Sequence, residues 1–458
     1  MLACSLATSP LYPHNYSYDS AFFRFFGSEI LNGKTPYKDV WDHKGPVLYF
    51  LQAVGALGGT TNKGSNLLFV LQITSILTSV FFIWKTYLEF GEKNRSFLKF
   101  FSLLVCVLSV FSLTIESGNL SEEWTLPFAC GSIWMMTRYA LNTTADPGHP
   151  RKYAFFHGIG LGIVFMIRIN NAIPVCAGIL IIGFYLILKK QWKNLFDNLV
   201  FGLLGIVCII APVCIWFYSR NALQEMIYAV YNFNLKYAQV RSFISYTGEP
   251  FITRYLPIAA AILIFVIFMI RKQKIELIDC ITAAVLAAGT WMLTDTNMYL
   301  HYFTIFIPVF FFTSIRCADR MRLPEMLILL IVFGWFGILN IQRLPDLLNI
   351  HRQGPMFTDT ERIPPEDRNA VIAVNLPPEI YLNYGLEPIS RFCAYQHVHF
   401  SIAPEMKDEF LNDLYTKKPQ WILAFCSGET KIPEVQDLID EAYQYRFDQS
   451  DICYYQRK

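Results

Sequence analysis

The sequence predicts a mainly α-helical membrane protein: a polytopic transmembrane helical bundle, interfacial helices in the first external loop and a small C-terminal extracytoplasmic α/β domain. Three observations predict this fold. Of the 458 residues, 54% are hydrophobic and only 16% are charged, whereas about a quarter of the residues in soluble proteins carry a charge. Apolar runs long enough to span a bilayer recur between residues 66 and 342. After residue 345 these runs stop, and short strand-like and helix-like segments alternate.

Composition and missing motifs argue against several classes of function. The net charge is +2, so bulk electrostatics predict no nucleic-acid partner. Most of the eleven cysteines lie inside apolar segments as small buried hydrophobes. No CxxC or Cys/His spacing predicts a zinc site or a disulfide framework, and Cys393, Cys426 and Cys453 are only a weak candidate set for pairing. With no GxxxxGK[ST] loop, GxSxG elbow or HExxH motif, nothing predicts ATP hydrolysis or a Ser-His-Asp hydrolase.

The first part of the chain, residues 1–65, is predicted to be an external loop with interfacial helices. Its first twenty residues contain no basic segment, and their apolar run is too short for a signal peptide or a spanning helix. The segment that begins at Tyr16, "YSYDSAFFRFFGSEILNG", has the apolar face of an amphipathic helix. Asp19 stands at its start, where a carboxylate can cap a helix. On this residue alone, a cap and a functional acid are about equally good interpretations.

The motif "DHKGP" precedes the second interfacial helix of this loop. The apolar run after it has about 13 residues, which is short for a span and is typical of a helix lying at the interface. Lys44 is at the N-terminal edge of that run, where a cation and free backbone N–H groups can bind a lipid phosphate. The alternative is a snorkelling lysine beside a solvated Asp42 and His43. By itself the motif favours that alternative.

The second part, residues 66–342, is predicted to be the transmembrane domain, with about ten spans. The candidate spans are approximately 66–89, 97–114, 122–141, 154–169, 171–189, 196–217, 253–270, 277–295, 299–316 and 323–342. The fourth and fifth are nearly continuous, and "RINNAIP" between them predicts a tight turn at one membrane face, with Pro174 near a helix start.

Every second loop between these spans is basic, while the alternate loops are acidic or nearly neutral, so the basic loops are predicted to be cytoplasmic. Their basic residues are Lys93, Arg95, Lys99, Arg151, Lys152, Lys189, Lys190, Lys193, Arg271, Lys272, Lys274, Arg316, Arg320 and Arg322. Residues 1–65, the loop 218–252 and the chain after about 343 are then external. An external start without a signal peptide favours one further helix upstream of this sequence, giving about eleven spans.

The third part, residues 345–458, is predicted to be the extracytoplasmic α/β domain. The segments "NAVIAVN" and "QWILAF" have the composition of buried strands. The segments "APEMKDEFLNDLYTKK" and "IPEVQDLIDEAYQ" have the spacing of amphipathic helices.

Further ionisable residues fall on the predicted external face. They lie in "ESGNLSEEWTLPF", in "RINNA" and in "DTNMYLHYF", and they include Glu116, Glu122, Glu123, Arg168, Asp295, His301 and Tyr302. Each has an ordinary structural interpretation: acids suit the first turn of a helix, and aromatic residues suit the membrane interface. Ionisable residues at membrane depth are functional candidates, and five such clusters on one face are hard to explain by chance.

The order of these segments resembles the GT-C superfamily of membrane glycosyltransferases, in particular the bacterial family-39 type, which is related to protein O-mannosyltransferases and the lipid A aminoarabinose transferase. The resemblance lies in "YDSAFFRFFGSEILNGKTPYKDVWDHKGPVLYFLQAVG", "SGNLSEEWTLPF", "RINNA" and "YLHYFTIFIP", and it covers most of residues 16–317. It implies transfer of a sugar, hexosyl or pentosyl, from a polyprenyl-phosphate donor to an acceptor hydroxyl outside the cytoplasm, in a bacterial plasma membrane.

The resemblance also implies particular residues. The essential acid of the family's first external loop matches Asp19, although relatives often have Asp-Glu where this chain has Asp19-Ser20. A Lys-Pro-Pro-like start of the second interfacial helix matches Lys44-Gly45-Pro46. The acid of the second external loop matches either Glu122 or Glu123.

Transfer from a sugar phosphate needs a base for the acceptor hydroxyl and cations for the departing phosphate. Asp19 is the candidate base. Lys44 and Arg168 are candidates for the phosphate, with His43, His301 and Tyr302 as helpers. Glu122 or Glu123 positions the acceptor or, with Asp19, holds a divalent metal. No cofactor is certain, and a metal at Asp19 and Glu123 is left open.

The implied partners are a polyprenyl-phosphate sugar donor, the lipid bilayer and an acceptor that is a lipid, a glycan or a protein. Two alternatives remain at this point. A transporter or flippase for lipid-linked saccharides predicts polar residues at mid-bilayer and inverted repeats. An O-antigen ligase or polymerase predicts a major loop late in the chain.

Overall fold

The computed structural model describes residues 6, 8–9, 18–59, 62–90, 97–112, 114, 118–143, 147–239, 251–294, 299–318, 321–350, 362–427, 430–449 and 451–458. Two of the sequence candidates, Glu116 and Asp295, lie outside these residues. Most of the described chain is helical, and a four-stranded sheet lies near the C-terminus.

Two helices form the first loop, as the sequence predicts: α1 (Tyr18–Leu31) and α2 (Pro46–Ala56). Helix α2 begins with Pro46 in its first turn, where the missing N–H of proline costs nothing. The two helices pack against each other through aromatic rings, and the rings of Phe26 and Tyr49 stack 4.2 Å apart. Phe22 and Phe23 of α1 are also almost fully buried, so this loop is an ordered platform.

All ten predicted spans coincide with helices. They are α3 (Asn62–Glu89), α4 (Phe97–Phe111), α5 (Ser121–Asn142), α6 (Arg151–Phe165), α7 (Ile173–Leu188), α8 (Trp192–Ser219), α11 (Phe251–Ile270), α12 (Leu277–Thr294), α13 (Phe306–Ala318) and α14 (Leu323–Ile350). Two short helices, α9 (Leu223–Ile227) and α10 (Asn234–Gln239), lie between α8 and α11 on either side of a π-turn. Within the described residues, five segments are long and apolar enough to cross a membrane, namely 66–89, 169–188, 192–219, 300–318 and 323–342.

Ion pairs tie together the helix ends that carry the basic loops. Lys272 and Arg316, at two different connections, both bind the buried Asp279 carboxylate of α12. Arg271 pairs with Glu325 at the start of α14. Because these helix ends meet, Arg271, Lys272 and Arg316 of two basic loops lie at one end of the bundle, as the charge alternation predicts.

The tail contains a mixed sheet with strand order β1-β2-β4-β3, formed by β1 (Val371–Ala373), β2 (Trp421–Phe425), β3 (Tyr443–Gln449) and β4 (Ile452–Arg457). Strands β1 and β2 are parallel, and β4 is antiparallel to both β2 and β3. The helices are α15 (Glu379–Tyr384), α16 (Gln396–Ile402), α17 (Glu405–Lys417) and α18 (Pro433–Ala442). The two predicted strands and two predicted helices are confirmed, and a disulfide joins Cys426 to Cys453.

The tail packs directly on the first loop. The backbone N–H of Trp41 donates to the carbonyl of Arg391 at 2.9 Å, and the Phe25 ring of α1 lies 5.4 Å from the Tyr381 ring of α15. The first loop, the tail and the C-terminal end of α8 therefore share one hydrophobic core. The division of the chain into three domains, 1–65, 66–342 and 345–458, stays a prediction. In the structure the first and third of these domains pack against each other.

Candidate active site

A cavity of about 420 Å³ lies where the first loop meets the membrane helices. Its walls come from the loop, from the first turn of α5, from the turn between α6 and α7, and from the α9–α10 region. Of the residues that the sequence singled out, five line this cavity: His43, Lys44, Glu122, Arg168 and Tyr302. They are separated by up to 259 positions in the chain, so the fold brings together residues from four predicted clusters.

Lys44 is held by backbone contacts to the turn after α6. The N–H of Gly45 donates to the carbonyl of Ile167 at 2.9 Å, and the N–H of Val47 donates to the carbonyl of Met166 at 2.9 Å. The Tyr37 hydroxyl donates to the carbonyl of Lys44 at 2.6 Å. These bonds fix the position of Lys44 relative to Arg168, the next residue in the same turn.

The three ionisable residues of "DHKGP" form a chain of contacts. Asp42 is buried and accepts a hydrogen bond from the Tyr49 hydroxyl at 2.5 Å. Nδ1 of His43 lies 3.1 Å from Asp42 Oδ1, and its Nε2 lies 3.3 Å from Lys44 Nζ. Burial and the neighbouring Lys44 hold the pKa of His43 below 6.5, so the imidazole is neutral at pH 7. Burial acts to raise the pKa of Asp42, but Lys44, His43 and the Tyr49 bond hold it well below its usual range. The alternative of a solvated Asp42 is therefore wrong, because this residue is 2% exposed.

Arg168 lines the same cavity as Lys44 and is held by three groups. Its Nη1 pairs with Glu122 Oε1 and lies 3.4 Å from the hydroxyl of Ser121. Its guanidinium stacks over the Tyr302 ring, 4.1 Å from the ring centre, a geometry that attracts a cation to the aromatic face. The side chain is therefore presented to the cavity in one orientation.

The two adjacent glutamates of α5 face different surroundings. Glu122 lines the cavity beside Arg168. Both oxygens of Glu123 accept from Gln72 Nε2, at 2.9 and 2.8 Å, and one also accepts from the N–H of Asn119 at 2.7 Å. The Asn119 side chain in turn bonds to Ser20 and Gln52 of the first loop. In this structure Glu123 is a buried support for the loop and is not part of the cavity wall.

Asp19 and His301 lie outside the cavity wall as described. Asp19 is half-buried at the start of α1, and its Oδ1 accepts a hydrogen bond from the Tyr395 hydroxyl of the tail at 3.2 Å. It also lies within electrostatic range of Tyr299. The His301 ring is buried and packs against Tyr299 and Tyr302, with ring centres 5.3 and 4.8 Å apart. A metal bound by Asp19 and Glu123 stays a prediction, and among the described residues these two acids do not belong to a three-ligand cluster.

Sequence reasoning missed two residues of the cavity, Asn234 and Tyr237. Asn234 Nδ2 donates to the carbonyl of His43 at 2.7 Å, and the Tyr237 ring stacks on the His43 ring at 5.4 Å. Both lie on the short helix α10, in the segment that the sequence predicts to be an external loop. No pattern in that loop marked them, because a single polar or aromatic residue on a helix of six residues carries no periodic signal.

Comparison with solved structures identifies the fold. Over 99% of its length the chain is similar to the aminoarabinose transferase ArnT from Cupriavidus metallidurans bound to undecaprenyl phosphate, with a TM-score of 0.60, 11% identity and 96% of that chain covered. The apo state of ArnT gives a TM-score of 0.59 at 10% identity, covering 97% of this chain and 94% of that one. The apo oligosaccharyltransferase of Archaeoglobus fulgidus gives 0.51 at 13% identity, covering all of this chain and 74% of that one. The chain therefore has the fold of the GT-C membrane glycosyltransferases, which confirms the predicted fold class.

Sequence comparison gives the family. Residues 3–322, more than two thirds of the chain, match the family model described as "Putative competence-induced protein Ccs4 N-terminal domain". The protein belongs to this family. No curated protein sequence gives a significant match.

Proposed function

We propose that the protein is a glycosyltransferase that moves a sugar from a polyprenyl-phosphate donor to an acceptor hydroxyl on the extracytoplasmic side of the membrane. One observation carries the proposal: in a GT-C fold, Lys44 and Arg168 come from distant segments and face one cavity beside a carboxylate. The solved ArnT complex contains undecaprenyl phosphate, which supports a lipid phosphate as the ligand of the corresponding region here.

The proposed reaction breaks the bond between the anomeric carbon and the phosphate oxygen and forms a bond from that carbon to the acceptor oxygen. Lys44 and Arg168 stabilise the charge on the departing polyprenyl phosphate. The acceptor proton passes to a carboxylate, and Asp19 is the proposed base on the strength of the family resemblance. Glu122 orients Arg168 and is the carboxylate nearest the phosphate cations. His43 and Tyr302 position those cations, and His301 packs behind Tyr302.

Two features support an extracytoplasmic site in a bacterial plasma membrane. Lys272 and Arg316 of the basic loops bind Asp279 at the start of α12, whereas Trp291 and Met292 near the other end of that helix line the cavity, and basic loops are typical of the cytoplasmic side. The Cys426–Cys453 disulfide of the tail is typical of an oxidising compartment. We therefore propose that the cavity and the tail face outward, where a lipid, glycan or protein acceptor is available.

The experiment uses the full chain, purified in detergent or nanodiscs, with radiolabelled polyprenyl-phosphate hexose and pentose donors. Release of polyprenyl phosphate and transfer to lipid, glycan or protein acceptors are measured separately. We expect Lys44→Ala to lower kcat/KM by roughly 10²–10³-fold, the cost of removing one donor that stabilises transition-state charge. Asp19→Asn should lower kcat by roughly 10²–10⁴-fold if it is the base.

Lys38→Ala is the matched control, because Lys38 is an exposed lysine of the same loop and should leave transfer unchanged. Unchanged transfer in both Asp19→Asn and Lys44→Ala would contradict the site assignment. Movement of the intact lipid-linked sugar across vesicles without bond cleavage would instead identify a flippase. Elongation of a lipid-linked glycan would identify a polymerase or ligase.

A further inference from the structure

Three side chains with metal-ligating atoms converge where the tail meets the first loop. Asp42 and His43 come from the loop and His399 comes from α16, and their ligand atoms all lie within 4.8 Å of one another. Asp42 is 2% and His399 is 1% exposed. The rings of His43 and His399 are edge to face, with centres 6.0 Å apart. His43 also lines the cavity, so the cluster adjoins the candidate active site.

Hydrogen bonding leaves one of these imidazoles unsatisfied. Nδ1 of His399 is buried and has no hydrogen-bond partner among the described residues. Nδ1 of His43, in contrast, lies 3.1 Å from Asp42 Oδ1. Buried polar atoms in proteins are nearly always paired. A buried His399 nitrogen without a partner beside the Asp42–His43 pair therefore needs one, and a cation bound by these three residues supplies it.

We propose that Asp42, His43 and His399 bind a Zn²⁺ ion that links the tail to the first loop. Two imidazole nitrogens and one carboxylate oxygen are ligands that zinc accepts, whereas Mg²⁺ and Ca²⁺ prefer oxygen ligands alone. Three protein ligands leave the fourth tetrahedral position to a water molecule. The site is distinct from a metal at Asp19 and Glu123, because it shares neither residue with that pair.

The surroundings of the cluster fit this role. The Tyr49 hydroxyl donates to Asp42 Oδ2 at 2.5 Å, which leaves Oδ1 for the ion and fixes the carboxylate, as outer-sphere partners of metal ligands do. A metal on His43 Nδ1 places the ring proton on Nε2, so that His43 no longer accepts from the Lys44 ammonium. The Lys44 ammonium is then available to bind the donor phosphate. This consequence rests on the proposed function.

The test measures metal binding and needs no sugar transfer. The full chain is purified without a polyhistidine tag, treated with a chelator, dialysed against Zn²⁺ and analysed by elemental mass spectrometry. Co²⁺ replaces Zn²⁺ in a parallel titration that follows its visible absorption. We expect one ion per chain, a higher Tm with the metal, and an affinity loss in His399→Gln greater than the roughly 10–100-fold loss that removal of an outer-sphere partner causes.

His397→Gln is the matched control, because this nearby histidine of α16 contacts Asn375 at 2.8 Å and lies outside the cluster. It should bind metal like the wild type. Folded wild-type protein that takes up no Zn²⁺, or equal binding by His399→Gln and His397→Gln, overturns the proposal. If His399→Gln does not fold, the zinc stoichiometry of the wild type and the zinc affinity of Asp42→Asn test the proposal instead. None of these results bears on glycosyl transfer, so the two proposals fail separately.

Discussion

Gly45 determines the position of Lys44 relative to the turn at 166–168. A Cβ atom at this position would lie 2.2 Å from both the carbonyl carbon and the oxygen of Met166, a distance that no side chain tolerates. Only glycine lets the loop approach closely enough for the bond from its N–H to the carbonyl of Ile167. The "KGP" sequence therefore differs from a Lys-Pro-Pro pattern for a reason that lies in the opposing turn.

We expect Gly45→Ala to move the loop away from the turn at 166–168 and to lower donor affinity. Forcing a methyl group into a packed contact costs about 1–3 kcal/mol, so Tm should fall as well. The measurements are thermal unfolding and KM for the lipid-linked donor. Gly183→Ala is the control, because its new Cβ would meet nothing closer than 3.9 Å. Equal donor KM values in the two variants would contradict this role for Gly45.

The adjacent Glu122 and Glu123 show what sequence reasoning can and cannot resolve at a single position. Both acids were predictable as candidates, because charges beside an apolar run are rare and visible. Which of them faces the cavity depends on the rotation of α5 about its axis, and that rotation is set by Gln72 on α3 and Asn119 before α5. These contacts join distant parts of the chain, so no local pattern contains them.

Helices α6 and α8 pack backbone to backbone along a line of glycines. A Cβ at Gly205 would lie 2.3 Å from the carbonyl oxygen of Phe155, and one at Gly158 would lie 2.0 Å from that of Gly202. Small residues allow this close approach in membrane helices. Because α6 leads directly into the turn that carries Arg168, the glycine contact also sets the position of one cavity wall.

Gly205→Val is therefore expected to separate α6 from α8, to lower Tm and to reduce donor binding through displacement of the 166–168 turn. The loss in the free energy of unfolding should reach about 1–3 kcal/mol, the range typical of overpacking, or more. Thermal unfolding in detergent and donor KM measure the two effects. Gly334→Val on α14 is the control, since no atom lies within 4 Å of a Cβ at that position. A Gly205→Val variant as stable as Gly334→Val would show that the close contact is not needed.

The helices of the membrane part were predictable because each is a continuous apolar run and needs no distant partner to be recognised. The β3–β4 hairpin was not. The segment "IPEVQDLIDEAYQ" continues a helical pattern to Gln444, whereas α18 ends at Ala442 and β3 begins at Tyr443. Strand β3 is largely exposed, so it lacks the alternation of buried residues that marks a strand. Its pairing with β4 is what makes it a strand.

The protein has two chemically different ends. At one end, buried acids of α12 and α14 neutralise part of a basic surface. At the other, the first loop and the tail form one core over a cavity that holds Lys44, Glu122 and Arg168. A site for a lipid-linked anionic donor requires that the second end face the compartment in which the acceptor is found, so orientation is a direct test of this arrangement.

We expect the tail to be external and the 271–276 connection to be cytoplasmic, because basic loops are retained on the cytoplasmic side. Thr416 of α17 and Lys274 are both exposed, and each is replaced by cysteine in separate variants. A membrane-impermeant maleimide should label Thr416→Cys in intact spheroplasts but Lys274→Cys only after permeabilisation. The chain without either substitution gives the background labelling, because its exposed Cys280 lies close to Lys274 in sequence and can react with the maleimide as well. Labelling of Lys274→Cys in intact cells, with Thr416→Cys protected, would place the cavity on the cytoplasmic side and would contradict transfer outside the cell.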